Sequence, residues 1–494
     1  ECYVVVSEVA KNNGGKKKVL ASVLAGLAMV GAGAVGTPVQ ANVDLGNSAV
    51  NISPNGTYNG SNSVGSNSVV VGMQNTTDNN WGTIALGMAN TATENSAMAV
   101  GNGNKATGGA AVAMGAYNQA TGRASVAIGN VSMASAEDSI AIGNRANATK
   151  SNQDRGSGQF SIAMGRESWA KGDNNISIGH EAETNSTGDS IAMGRNSKAN
   201  QANAVAVGPQ ADANGWGGIA VGREAAVSAN FATAMGYQSQ ASGSASVAIG
   251  KQNKASGDGA VAIGKSNDSK VEDTITMGTS NTASVGGGIA IGQDNVANSG
   301  GTAGNTMIAI GRQNEATAQD TIAIGREAKA KNDLAVAIGN RTEATANAAI
   351  AIGTNGAPSN GNTYKTTASG FAAVAIGMQS NSTGTASTAV GGKSQATANS
   401  ASAFGRAANA SAENATALGF EAAASVKDGV ALGSTSKATV DKGVKGFNPA
   451  EDRDNKYGGL AGTAQTSTLA AVSVGDGATA TRQITGLAAG TNDT

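Results

Sequence analysis

One short pattern recurs along most of the chain at a nearly constant spacing: an apolar residue, a small residue, another apolar residue and then glycine. Residues 125–129, Ser-Val-Ala-Ile-Gly, are a typical copy. The final glycine recurs 25 times between Gly72 and Gly433, and 19 of the 24 spacings are 14 residues. Self-similarity at a fixed period predicts a repeat architecture rather than a row of separate globules.

Each repeat predicts two short strands and two turns. The alternation before the glycine has the period of a strand, and glycine permits a turn with positive φ. An alanine five residues later, present in 19 copies, marks a second strand. Because so short a coil has a thin interior, we expect the alanines inside and the Val and Ile side chains outside. The structural glycines include Gly129, Gly143, Gly250, Gly264, Gly325 and Gly339.

Stacking follows from the size of one coil. Burial of two Val or Ile side chains does not offset the conformational entropy lost by 14 residues. Hydrogen bonds between coils and contacts with other chains must supply the rest, as in other solenoids. An outward ladder of Val and Ile would form a long apolar stripe on a monomer, which indicates oligomerisation.

Composition narrows the classes of function. The net charge is −1, with none of the positive excess of a nucleic-acid binder. The single cysteine, Cys2, and the single histidine, His180, leave no material for disulfides, cysteine metal sites or a Ser-His-Asp triad. We interpret His180 as a solvated turn residue. The sequence therefore predicts neither an enzyme nor a bound cofactor or metal.

Residues 259–266, Gly-Ala-Val-Ala-Ile-Gly-Lys-Ser, match the phosphate-binding P-loop pattern letter for letter. A P-loop needs a strand before its first glycine and a helix after its Lys-Ser. Here the four middle residues are the repeat strand itself, so we interpret the match as coincidental.

The first 41 residues have the order of a secretory signal peptide. A basic cluster at 16–18 precedes an apolar run at 19–35, and Val-Gln-Ala at 39–41 is typical of a cleavage site. We expect cleavage after Ala41. A transmembrane anchor is the alternative, but several glycines interrupt the run and no basic flank follows it. We expect this signal region to be incomplete at its N-terminus.

The repeat resembles the head repeat of trimeric autotransporter adhesins, the YadA-like family, over about residues 69–433. The stretch at 2–11 resembles the extended signal region of large Gram-negative autotransporters. Residues 469–494, which include Arg482 and Gln483, resemble the family's neck, which joins the head to a stalk.

The resemblance implies an all-β, left-handed parallel β-roll of about 25 coils, assembled as a homotrimer. It implies a virulence-type adhesin on the outer membrane surface of a Gram-negative bacterium, which attaches to collagen, fibronectin or another cell. Collagen binding would carry over only to repeats with the full motif, such as Ser125–Gly129 and Ser246–Gly250. We expect membrane attachment only through a C-terminal anchor missing after Thr494. A structural spacer without its own ligand stays open as the alternative.

Departures from the repeat suggest domain limits and contacts. We expect an N-terminal cap at 42–68, insertions near 151–160, 300–306 and 358–370, and a head-end segment at 434–468. Phe447, Tyr457 and Leu460 are expected to cap that open end. Insertions in a solenoid become loops and often bind ligands, although tolerated surface drift is the simpler interpretation. Because aromatic residues are rare, the candidate ligand contacts are Phe160, Trp169, Trp216 and Tyr364.

Overall fold

The computed structural model describes residues 41–44, 50–54, 64, 67–149, 159–298, 306–354, 365–446, 466–486 and 488. These residues form strands and turns without helix. Within the same ranges, no helix is long and apolar enough to cross a membrane. The chain divides into two compact units, residues 1–225 and 226–494. Both units are built from the same coil, with 11 copies in the first and 14 in the second.

Every coil contributes one major strand, which carries the apolar-small-apolar pattern, and usually one minor strand. In the first unit the major strands are Val69–Met73, Ile84–Met88, Met98–Asn102, Val112–Ala116, Val126–Asn130, Ile140–Asn144, Ile162–Met164, Ile176–Ile178, Ile191–Met193, Val205–Val207 and Ile219–Val221. Its minor strands are Thr76–Thr77, Thr91–Ala92, Lys105–Ala106, Gln119–Ala120, Met133–Ala134, Asn147–Thr149, Trp169–Asp173, Glu183–Gly188, Lys198–Ala199 and Asp212–Ala213.

The second unit repeats the arrangement. Its major strands are Thr233–Met235, Val247–Lys251, Val261–Lys265, Ile275–Thr279, Ile289–Gln293, Ile308–Arg312, Ile322–Arg326, Val336–Asn340, Ile350–Thr354, Val374–Ile376, Thr388–Val390, Ser402–Phe404, Thr416–Leu418 and Val430–Leu432. Its minor strands are Ala226–Val227, Gln240–Ala241, Lys254–Ala255, Asp268–Ser269, Thr282–Ala283, Val296–Ala297, Glu315–Ala316, Lys329–Ala330, Thr342–Ala344, Thr366–Ala368, Asn381–Ser382, Gln395–Ala396, Asn409–Ala410, Ala423–Ala424 and Lys437–Ala438.

Successive coils stack in parallel register. Ala127 pairs with Ala113 on one side and Ala141 on the other, and Gly129 pairs likewise with Gly115 and Gly143. The register survives the longer spacings, because Ile140 still pairs with Ile162. Outside the coils, a hairpin of Ala41–Asp44 and Val50–Pro54 pairs in parallel with Val69–Met73. This hairpin lies where the sequence predicts the N-terminal cap.

The interior of each coil is alanine, as predicted. Ala127 in the major strand and Ala134 in the minor strand are both fully buried, and the same two positions are filled by alanine in most coils. Val126 and Ile128, on either side of Ala127, stay half-buried because their side chains point away from the thin interior. Alternate residues of a strand face opposite sides, so this is the expected result of packing two strands at alanine distance.

Three left-handed residues turn the chain in each regular coil. In one coil they are Ala124 with φ 52°, Gly129 with φ 132° and Val131 with φ 57°. At Gly129 a Cβ would lie 1.9 Å from the carbonyl oxygen of Gly143 in the next coil. Glycine is therefore required here both by its φ and by the close approach of the next backbone.

Most coils are of two kinds, which differ in the third residue after the repeat glycine. In the asparagine coils it is a buried asparagine, and the major strand has five residues and passes through the glycine. These asparagines are Asn75, Asn90, Asn104 and Asn118 in the first unit and Asn253, Asn267, Asn281, Asn295 and Asn314 in the second. In the short-strand coils it is serine or alanine, and the major strand has three residues and ends before the glycine, as in the coils of Ser197 and Ser394.

In the asparagine coils, the amide groups form a ladder between coils. Asn267 Nδ2 donates to Asn253 Oδ1 at 3.0 Å, to Ile263 O at 2.9 Å and to Gly278 O at 2.8 Å. The Oδ1 atom of Asn267 accepts from both nitrogens of Asn281. Each unit has one such ladder, and each ladder ends at a backbone donor. Ser132 N donates to Asn118 Oδ1 in the first unit, and Ala328 N donates to Asn314 Oδ1 in the second.

In several short-strand coils, namely those of Ser168, Ser197, Ser380 and Ser394, the same position bonds within its own turn, whereas Ser239 donates to Gly250 O in the next coil. Ser394 Oγ donates to Gly391 O at 2.9 Å, and Ser394 N donates to the same oxygen at 3.3 Å. The glycine carbonyl is then occupied locally rather than by a side chain of the preceding coil. The five-residue strands continue for two or three coils after each ladder, as in Ile140–Asn144 and Val336–Asn340.

Candidate binding surfaces

The outward side of the major strands forms an apolar face in both units. We call it the major face, defined by the residues one and three positions before each repeat glycine. Several of its side chains are about two-fifths exposed, including Met193 at 42%, Met235 at 42% and Leu418 at 45%. Contiguous apolar surface of this kind on a single chain marks an interface.

The outward side of the minor strands is polar. We call it the minor face, defined by the residue four positions after each repeat glycine. Neighbouring positions carry opposite charges, such as Glu183 next to Lys198, which in turn lies next to Asp212. In the second unit, Lys329 lies between Glu315 and Glu343. The two faces of one coil are therefore chemically different, and only the major face is apolar along most of its length.

A groove interrupts the minor face of the first unit. Three consecutive minor-face positions, Met133, Asn147 and Trp169, form its floor in parallel register. Val131, Ala146 and four charged residues complete the lining; the charged residues are Arg145, Glu167, Glu181 and Glu183. The groove has a volume of about 550 Å³ and is open to solvent. Trp169 is 41% exposed within it.

Glu167 and Glu183 have cationic partners around the groove, whereas among the described residues Glu181 has only His180 beside it as a partner. Glu167 Oε1 lies 3.2 Å from Arg145 Nη1 and 3.6 Å from Arg166 Nη2. Glu183 Oε1 lies 3.8 Å from Lys171 Nζ, and that ammonium also lies 4.3 Å from the ring centroid of Trp169. The walls thus present hydrogen-bonding atoms without a large excess of either charge.

A histidine with two carboxylates stands at the edge of this groove. Ligand atoms of Glu167, His180 and Glu181 lie within 4.8 Å of one another. His180 Nε2 is 3.7 Å from Glu181 Oε1, and its side chain is 39% exposed in the turn after Gly179, which agrees with its interpretation as a solvated turn residue. Because Glu167 is held by two arginines and the group is exposed, this arrangement does not favour a metal site.

The candidate contact residues occupy separate positions. Phe160 lies at a turn with φ 63° and is 54% exposed. Trp216 precedes a turn glycine and is 43% exposed. Neither contributes to the groove lining, which contains Trp169 alone among the four. Tyr364 lies outside the described residues, as do 151–158, 299–305 and 355–364 of the insertions.

Sequence reasoning missed most of the groove. Met133, Asn147 and Trp169 are separated by 14 and 22 residues, and only the coil register brings them together. The sequence Gly-Arg-Glu occurs at 165–167, 222–224 and 325–327, so it marks turns that carry both charges, and Glu167 of the groove lies in one of them. These turns do pair each arginine with its own glutamate: Arg223 with Glu224 at 2.9 Å and Arg326 with Glu327 at 3.2 Å. These arginines are exposed and form ion pairs within their own turns.

Residues 259–266, which match the P-loop pattern, form part of a regular coil. Val261–Lys265 is a five-residue major strand, paired on both sides with neighbouring coils. The next strand, Asp268–Ser269, follows without a helix. The interpretation of this match as coincidental is confirmed.

The segment predicted as neck contacts the last coil. Val472–Ser473 pairs in parallel with Val430–Leu432. Arg482 reaches back to that coil, where its guanidinium donates to Ser436 Oγ at 3.0 Å and to Ser434 O at 2.5 Å. Gln483 is exposed. Phe447, Tyr457 and Leu460 lie outside the described residues, so their capping role stays a prediction, as does cleavage after Ala41.

Asp476 organises a turn in this segment. Its carboxylate accepts hydrogen bonds from the Thr479 hydroxyl and from the backbone N–H groups of Ala478, Thr479 and Ala480. These bonds, the Thr479 hydroxyl first, hold the pKa of the Asp476 carboxyl far below its usual range.

Comparison with known families agrees with this geometry. The model of the YadA head domain repeat matches at residues 92–118, 106–132, 120–146, 134–152, 157–182, 188–211, 213–239, 241–267, 308–328, 330–355, 368–394 and 396–422. These matches cover more than half of the chain. A search of the curated proteins finds no match. With the repeat, the parallel coils and the family match in agreement, the chain belongs to the YadA-like head family of trimeric autotransporter adhesins.

Proposed function

We propose that this chain is the head of a homotrimeric adhesin, displayed on the outer surface of a Gram-negative bacterium, that attaches the cell to a host surface or to another cell. Family membership supports an adhesin-like surface role. The apolar major face is the observation that carries the proposal, because it needs a covering that one chain does not provide.

Three copies would cover their major faces against one another. The half-buried Val126 and Ile128 would then become core residues of the assembly, while the alanines behind them stay as they are. Full burial of a Val or Ile side chain contributes about 1.5–3 kcal/mol, and completing the burial of a half-buried one contributes roughly half of that. Repeated over many coils, this supplies the stability that a thin alanine interior lacks.

Such an assembly leaves the minor face and the turns free for a ligand. In the full motif at Ser125–Gly129, Ser125 and Ala127 are buried and Val126 and Ile128 belong to the major face. Collagen recognition through that motif would therefore compete with assembly. This favours the minor face, the turns or the insertions as the contact region for collagen, fibronectin or a cell surface.

The first experiment measures the mass of the chain from residue 42 to 494 by light scattering, with circular dichroism on the same sample. We expect a β-rich particle of three chains. Replacement of Ile338 on the major face by Asp should abolish the trimer, whereas Lys329→Asp on the minor face should retain it. A stable β-rich monomer of the unsubstituted chain would contradict the trimer.

Adhesion is tested with the same trimer, coated on beads and offered to collagen, fibronectin and host or bacterial cells. We expect saturable attachment to at least one of these surfaces. A folded trimer that attaches to none of them would favour the alternative, in which the head is a spacer that projects another binding domain.

A further inference from the structure

Trp169 is not explained by the fold. The minor-face position that it occupies is filled elsewhere in the first unit by Gln119, Lys198 or Asp212 without any change in coil geometry. A large aromatic side chain that is 41% exposed on this polar face contributes little to the stability of its own coil. Exposed aromatic residues with apolar neighbours are typical of ligand contacts.

The strands are locally enlarged around it. Most minor strands have two residues, but Trp169–Asp173 has five and Glu183–Gly188 has six. The register shifts between Lys171 and Asp173, as in a β-bulge. Bulges often re-aim side chains next to functional sites. The result is a wider platform beside Trp169 than any regular coil provides.

The groove joins an apolar floor to a hydrogen-bonding rim. Val131, Met133 and Trp169 supply the apolar surface. Arg145 and the three glutamates supply the hydrogen-bonding rim, whereas Asn147 Oδ1 is buried and makes no hydrogen bond within the described residues. Its volume of about 550 Å³ lies within the range of about 300–1,000 Å³ that is usual for small-molecule sites.

Charge separates the possible ligands. Two of the three carboxylates in the wall have cationic partners, Glu167 with Arg145 and Glu183 with Lys171. A basic peptide would have to displace these partners, and an anionic polymer would meet three glutamates. An uncharged ligand with many hydroxyls meets neither obstacle, because each paired ion keeps free lone pairs or N–H groups for additional hydrogen bonds.

We propose that the Trp169 groove binds an uncharged sugar chain, with one pyranose ring stacked by its C–H face on the indole. Glu183 and Arg145 accept from and donate to its hydroxyls. The proposal rests on the proposed function, since it names the ligand class of one surface of the adhesin head.

The test uses the assembled chain with Trp81→Phe and Trp216→Phe, so that Trp169 is the only tryptophan. Uncharged tetrasaccharides of the cello-, chito- and lacto-series are titrated while tryptophan fluorescence is recorded. We expect a saturable change in emission with at least one of the three series. No saturable change with any of them overturns the proposal.

Substitutions in the otherwise unmodified chain assign the site. Trp169→Gln places the residue of the equivalent position 119 in the groove, and we expect at least a tenfold loss of affinity by calorimetry. Trp216→Gln, which removes a tryptophan of similar exposure outside the groove, should retain affinity within twofold, and Glu183→Gln should lower it several-fold. Equal losses for both tryptophan variants would overturn the proposal, as would saturable binding of anionic heparin or cationic oligolysine without binding of any uncharged sugar.

The outcome separates this inference from the proposed function. One outcome is that the titrated chain binds no uncharged sugar while beads coated with the Trp169→Gln trimer adhere as well as beads coated with the unsubstituted trimer. The adhesin role then stands and the sugar site is wrong. If the sugar binds but no surface is recognised, the sugar site stands and the adhesin role fails.

Discussion

The asparagine coils and the short-strand coils have the same length, the same alanine interior and the same left-handed glycine, yet their turns are connected in opposite directions. Asn267 donates to the carbonyl of Gly278 in the next coil, whereas Ser394 donates to Gly391 in its own turn. One amide group thus converts a turn that stabilises itself into one that joins neighbouring coils. Every asparagine coil has a five-residue major strand, but so do coils without asparagine such as that of Ile140–Asn144, so the amide alone does not determine strand length.

The largest effect is expected at the repeat glycine, which the two kinds of coil share. Alanine at Gly264 would place a Cβ 2.1 Å from Gly278 O at φ 121°, and alanine at Gly405 would place one 2.5 Å from Gly419 O at φ 128°. We expect both substitutions to lower the free energy of unfolding by about 3–5 kcal/mol, measured by urea titration. Gly392→Ala, where the nearest atom is 3.8 Å away, is the control and should have little effect. A tolerated Gly264→Ala would contradict the close approach.

The next prediction concerns the third residue after the repeat glycine, at which the asparagine coils and the short-strand coils differ. Asn267→Ala removes donors to three acceptors and leaves Asn281 N without its acceptor. We expect a loss of about 2–4 kcal/mol, because buried groups left unpaired cost about 1–3 kcal/mol each. Ser394→Ala removes one side-chain bond within its own turn, so we expect about 1 kcal/mol or less. Equal losses in the two variants would remove the energetic distinction between the two kinds of coil.

The third prediction concerns the energetic coupling between asparagines of neighbouring coils. Because Asn267 and Asn281 bond to each other, the losses from Asn267→Ala and Asn281→Ala should not add. We expect an interaction energy of about 1–2 kcal/mol in the double-mutant cycle, again from urea titration. Ser380→Ala with Ser394→Ala is the matched pair from neighbouring short-strand coils and should be additive within about 0.5 kcal/mol. An additive asparagine pair would show that the ladder is a row of independent bonds.

The smallest effect concerns the charged turns. The hydrogen bond from Arg341 holds the pKa of the Glu327 carboxyl below its ordinary value near 4.5. A depressed pKa contributes stability that is present above the unfolded-state value and is lost as pH falls through the folded-state value. Glu327→Gln should therefore lower the free energy of unfolding at pH 7 by under about 1 kcal/mol, because the pair is partly exposed, and the difference should close in acid.

Glu421, at the same turn position in a short-strand coil, is the control for that measurement. Its carboxylate forms no ion pair in the part of the chain that the structure describes, so Glu421→Gln should show a smaller difference at pH 7. A pH dependence as large as that of Glu327→Gln would argue against the role of Arg341.

The sequence predicted the coil well, because the nearly constant 14-residue spacing determines which residues of successive coils are paired. Ala127 and Ala134 recur at fixed phase, and a thin interior favours small side chains, so their burial followed from spacing alone. The ladder was not predicted, although asparagine recurs three residues after the glycine in nine coils. Asparagine in a turn usually indicates exposure, and only the stacked backbone shows that these amides are covered.

The groove was less predictable. Trp169 was a candidate because aromatic residues are rare, but its role as the floor of a cavity depends on Met133 and Asn147 two coils and one coil away. The 22-residue spacing between Gly143 and Gly165 hides this neighbourhood in the sequence. Register across an irregular spacing is decided by backbone pairing, which composition does not reveal.

The ladder also bears on how such a gene can change in length. Unequal recombination between near-identical repeats adds or deletes whole 14-residue units. Since each Oδ1 can accept from either an asparagine or a plain backbone N–H, as at Ser132 and Ala328, a ladder shortened or lengthened by one unit still ends with every amide satisfied. Variation in copy number is then nearly neutral for folding, and a lineage can alter the reach of the head without redesigning it.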